Sequence, residues 1–144
     1  VLAKTVQVDD VVHAWSDGHE DYDPSAVDSL LEPYLDDADP WVRSRAAKAL
    51  AAVHAGRGRQ ELEKLAAHPS PEARLAGVWG WGELPPEESL RPLVSLAWDT
   101  HRGVQQAAIR CLIQMESRPG LSEAGHREIR ALLAEMRSKT EWIV

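Results

Sequence analysis

An all-α solenoid of about eight helices is the fold class this sequence predicts, and three observations carry it. Apolar residues recur at helical spacing, strand-like alternation of useful length is absent, and a 31-residue unit is written three times. The copies align without a gap: DPWVRSRAAKAL from Asp39, SPEARLAGVWGW from Ser70 and HRGVQQAAIRCL from His101. Val42, Ala73 and Val104 occupy one position of the unit. Arg43, Arg74 and Gln105 occupy the next, and two further columns hold Ala46, Gly77 and Ala108, then Ala49, Gly80 and Cys111. Eleven positions upstream of each anchor stands Leu31, Leu62 or Leu93, and seven upstream stands Leu35, Ala66 or Ala97.

The elements follow in order within a single domain spanning residues 1–144. Residues 1–24 read as one N-terminal helix, from about Val6 to Trp15 with Val8, Val11 and Val12 on a face, and an acidic linker. Residues 25–116 hold the three repeats, each a pair of helices. The first helices carry Val27, Leu30, Leu31, Tyr34 and Leu35, then Leu62, Leu65 and Ala66, then Leu90, Leu93, Leu96 and Ala97. The second helices begin after Asp39, Ser70 and Thr100, whose side-chain oxygens suit an N-cap. Pro40 and Pro71 take the first helical position, where a missing N–H costs nothing. Val42, Ala46, Ala49, Leu50 and Val53 face inward, and the small residues Ala46, Gly77 and Ala108 allow close helix contact. Turns are expected at Gly56–Gly58, Pro85–Pro86 and Arg118–Gly120. Residues 117–144 supply a capping helix, from about Ser122 to Arg137 with Ile129, Leu132, Leu133 and Met136 inward, and an apolar tail containing Trp142.

Charge is divided unevenly over a net −7. Between Thr5 and Val42 lie eleven acids and no Lys or Arg; from Arg43 onward fifteen bases face twelve acids. That acidic third disfavours phosphate backbones and anionic lipid near it. The single Cys111 excludes an intrachain disulfide and any four-cysteine metal site. No apolar run approaches the roughly 18 residues of a membrane span, and no signal-peptide pattern opens the chain. These features predict a cytoplasmic protein with no membrane partner.

The segment Asp39–Leu50 resembles the second helix of a HEAT repeat, and the 31-residue period is similar to the short bacterial variety first described in phycobilisome-lyase-like proteins. The resemblance covers Ser25 to Met115. It implies a polar ladder between repeats, carried here by Asp39, Arg43 and Arg74, with His101 and Gln105 departing from it in the third copy. It also implies that the outer stripe of the second helices lines a concave face.

Catalytic chemistry finds no constellation. Asp21, Asp23, Ser25 and Glu32 fall in a calcium-loop register, but the glycine its sharp turn needs is replaced by Ala26. His19–Glu20 resembles the iron-holding pairs of HEAT-type deoxyhypusine hydroxylases, yet it occurs once and outside the repeat helices. His13, His54, His68, His101 and His126 show no ligand spacing, and Cys111 sits in a column that needs a small buried residue. No nucleotide-binding or nucleophile motif is present. The chain reads as a non-enzyme without metal or cofactor.

The binding candidates lie on the outer stripe. Trp81 aligns with Leu50 and Leu112 and belongs inside; Trp79 aligns with Lys48 and Arg110 and belongs outside. Its stripe neighbours are Arg45, Lys48, Leu75, Glu83, Gln106, Arg110 and Gln114. An aromatic among Arg and Lys is a plausible anchor for a partner, so the leading expectation is a protein-binding scaffold. The competing expectation is a DNA- or tRNA-binding module of the kind seen in HEAT-like DNA glycosylases and epoxyqueuosine reductases, or an accessory domain of a larger enzyme. It would use the basic run Arg43–Arg59, with Trp79 stacking on a base. A subunit that holds a tetrapyrrole is suggested by repeat type alone.

Overall fold

The computed structural model describes residues 24–140, with side chains from 29 to 139 apart from residue 53. The expected N-terminal helix, the acidic linker with His19–Glu20, and Trp142 lie outside the described residues. Seven helices and no strands occur among those described: α1 Pro24–Leu35, α2 Pro40–Val53, α3 Ala55–Ala66, α4 Pro71–Gly82, α5 Pro86–Leu96, α6 Arg102–Met115 and α7 Glu123–Thr140. The period is visible in the helix starts. First helices begin at 24, 55 and 86, second helices at 40, 71 and 102, each step being 31 residues. The cap α7 leaves that register.

Side chains in the turns enforce the spacing. Asp37 accepts the Asp39 N–H (2.9 Å), His68 the Ser70 N–H (3.0 Å) and Asp99 the His101 N–H (2.8 Å), again 31 residues apart. Each is a side chain folded onto the backbone two residues on, which closes the turn locally. Asp39 then caps α2 by accepting from Trp41 N–H at 2.8 Å. The cap of α6 is His101, not Thr100: its Nδ1 accepts from Gly103 N–H at 3.2 Å. An imidazole lone pair at the N-cap does what a carboxylate does at Asp39.

The chain divides into two compact units, one ending at Gly80 and the other beginning at Trp81. In the first, α1 packs on α2 and α2 on α3. Leu31, Val42, Ala46, Leu50 and Leu62 are fully buried, each large side chain stabilising the unit by roughly 1.5–3 kcal/mol. Ser44 donates from Oγ to the Ala76 carbonyl at 2.5 Å, so a buried hydroxyl ties α2 to α4. At Gly77 a Cβ would stand 3.1 Å from the Ala66 nitrogen, in accord with the close contact expected in that column.

The expected turn at Gly56–Gly58 is absent. Both residues lie in α3, and the link from α2 is His54 alone, with φ −130 and ψ 85. Gly58 is buried with Ala51 backbone directly above it, leaving no room for a Cβ. Here glycine serves close approach between helices rather than a left-handed turn. The turn at Arg118–Gly120 is present, and Gly120 takes φ +97.

In the second unit α5 packs on α6, and α7 contacts both. Trp81, Leu93, Leu112, Met115 and Ile129 form its center, each 1% exposed or less. Ser122 accepts from Gly125 N–H at 3.0 Å and caps α7. Arg118 donates to the Gly82 carbonyl (2.9 Å) and the Leu84 carbonyl (3.2 Å), satisfying the open C-terminal end of α4. Lys139 lies over the Trp98 ring at 4.6 Å.

Candidate functional site

Helical spacing sorts the stripe residues of each unit. In the first, Arg45 and Lys48 stand one turn apart on α2, and Leu75 and Trp79 one turn apart on α4. All four are half-buried. Trp79 is therefore less open than its alignment with Arg110 implies. Arg45 and Lys48 are already engaged by other groups. Trp81, two residues on, is 1% exposed, as the column with Leu50 and Leu112 requires.

In the second unit Glu83 is exposed just beyond α4, and Gln106, Arg110 and Gln114 are exposed on α6. Sequence reasoning missed Ile113, which is 54% exposed. It lies three residues from Arg110 and seven from Gln106, on the same helical face. The signal was there: a large apolar residue at the spacing of a polar stripe.

The polar ladder is realised unevenly. Arg74 donates from Nη1 to the carbonyls of His68 (3.0 Å) and Pro69 (2.9 Å) and locks the turn before α4. Arg43, its equivalent 31 residues earlier, has an Nε closed off from solvent with no hydrogen-bond partner. Asp39 serves as a cap rather than as a rung to Arg43. The two turns preceding α2 and α4 differ in what they leave for the arginine to do.

Cys111 is buried in its column, and burial pushes its thiol pKa up against the lowering effect of the Arg110 and Arg118 charges. A thiol so held stays protonated and unreactive at neutral pH. Among the described residues no three His, Cys, Asp or Glu side chains gather to hold a metal ion. No helix among them is long and apolar enough to cross a membrane.

Two-helix units in a strict 31-residue register, with small residues at their contacts, decide the family. A family model of HEAT repeats matches residues 59–144, more than half of the chain. This chain is a HEAT-repeat protein. The match begins in α3 and takes in the second and third repeats and the cap; the register of helix starts extends the assignment to α1 and α2. No curated protein and no solved structure matches it. HEAT repeats commonly serve as protein-interaction scaffolds, and their solenoid fold is typically non-catalytic.

Proposed function

We propose that this HEAT-repeat protein is a non-catalytic, cytoplasmic scaffold of the short bacterial type, binding a protein partner on the outer faces of its second helices. The observation that carries the reading is Trp79 on α4, a half-buried indole one turn from Leu75 at the repeat position held elsewhere by Lys48 and Arg110. Helices locked by their own turns offer such a face with little ordering cost on binding. Arg45 and Lys48 flank it in sequence position on α2. Gln106, Arg110 and Ile113 on α6, with Glu83, form the candidate face of the second unit taken by itself.

Nucleic-acid binding is the weaker reading. Arg57 of the basic run pairs with Glu32, and Arg45, Lys48 and Arg59 are engaged as well. Groups already held within the chain, Arg57 by a carboxylate and Arg59 by the Ala55 carbonyl, have less to offer a phosphate backbone.

The test is affinity capture with and without nuclease, using the parent protein beside Trp79→Ala, with circular dichroism to establish that the variant folds. The expected result is a nuclease-resistant protein partner whose affinity falls by roughly 30-fold or more with Trp79→Ala, as for an aromatic hot spot worth about 2 kcal/mol. Recovery of nucleic acid, or a partner indifferent to the substitution, overturns the assignment.

A further inference from the structure

A pocket of about 170 Å³ opens in the first unit, away from Trp79 in the sequence and on different residues. Leu35 and Asp36 line it from the end of α1, Arg43 from α2, Glu61, Lys64 and Leu65 from α3, and His68 from the following turn. Its volume is well under the roughly 300–1,000 Å³ of a drug-sized ligand site. It suits the head of one side chain, not a nucleotide or a cofactor.

The polar groups in it are unequally occupied. Lys64 is held by Glu61 at 3.0 Å, so those two charges answer each other. His68 accepts the Ser70 N–H on Nδ1 (3.0 Å), which places its proton on Nε2 and makes that atom a donor. Arg43 Nε is enclosed without a partner, while the arginine at the matching position of the next repeat is bonded twice. The enclosed Nε lies out of a ligand's reach, so a bound acceptor would meet the guanidinium where Arg43 lines the pocket. Formal charges of the lining Arg, Lys, Asp and Glu sum to zero. With Glu61 and Lys64 paired, Arg43 and Asp36 remain, which sets a limit: one carboxylate can take the guanidinium, whose planar fork matches it, whereas the second charge of a dianion has only Asp36 to meet. Leu35 and Leu65 supply apolar wall for a methylene stem.

We propose that this pocket takes a single Glu or Asp side chain from an acidic partner peptide, with Arg43 as its counter-ion. The site shares no residue with the Trp79 face, so the two assignments fail independently.

The experiment is methyl and indole NMR on the full chain titrated with a capped, glycine-rich peptide carrying one glutamate, its glutamine counterpart, and free glutarate. The glutamate peptide is expected to shift the Leu35 and Leu65 methyls saturably. The glutamine peptide should bind about tenfold more weakly, the loss of one charge-assisted pairing. Arg43→Gln should weaken the glutamate peptide by a similar factor, Arg43→Lys by less, and Arg127→Gln, exposed on α7, should leave its affinity unchanged. Glutarate should bind more weakly than the peptide, because its second carboxylate has no cation left to pair with and meets the charge of Asp36. Equal binding of the glutamate and glutamine peptides, or shifts confined to the Trp79 indole, overturns the site. Glutarate matching the peptide overturns the peptide as its source. Because the parent titration needs no substitution, misfolding of an Arg43 variant does not shelter the proposal.

Discussion

The turn before α2 and the turn before α4 occupy the same place in two successive repeats, yet they employ the same arginine differently. In the first, Asp37 and Asp39 accept backbone N–H groups in succession, and the turn is closed without Arg43. In the second, His68 closes the equivalent bond to Ser70, and Arg74 adds two bonds to the carbonyls of His68 and Pro69. Register is thus fixed by one recurring side-chain-to-backbone bond, while the residues around it are free to diverge. Repetition sets where helices start; it does not set what each repeat position does.

The sharpest way to break that distinction is at Gly58. Its role is contact, not register, so Gly58→Ala should keep the helical content but lose stability by about 1–3 kcal/mol, since the Ala51 backbone cannot yield to a methyl. Gly56→Ala, two residues earlier with nothing within 4 Å of the added carbon, should instead be neutral or gain up to about 1 kcal/mol. Urea unfolding of the pair checks both signs. A loss shared equally by the two would mean that glycine is needed for the chain path there. A smaller effect is expected at the first turn, where Asp39→Ala leaves the Trp41 N–H without its cap and should cost about 1 kcal/mol by the same measurement.

Much of this was legible in the sequence, and the parts that were not share a cause. The aligned columns anticipated the 31-residue register and the starts of α2 and α4, the burial of Trp81 and the close fit at Gly77, because period and residue size survive in a one-dimensional pattern. Gly56–Gly58 was misread because glycine signals either a positive φ or a close approach, and only the path of the neighbouring helix tells which. The imidazole cap at His101 escaped notice because histidine is an uncommon acceptor there, although Asp37, His68 and Asp99 stand at the same 31-residue spacing. Arg43 and Arg74 are identical letters in identical columns. What separates them is which atoms of the preceding turn remain without partners, a property of three-dimensional contacts. Of the stripe, the sequence located the helical faces but not their exposure: Trp79 is half-buried and Ile113, unnoticed, is open.

The claim that equivalent positions carry different work is tested most directly by urea unfolding of Arg43→Ala beside Arg74→Ala. Arg74→Ala should lose about 1–2 kcal/mol with the two bonds that pin its turn, discounted for partial exposure, whereas Arg43→Ala should stay within about 0.5 kcal/mol of the parent. Equal losses would contradict the account, for they would mean that both arginines are rungs of one structural ladder and that neither is available to a partner.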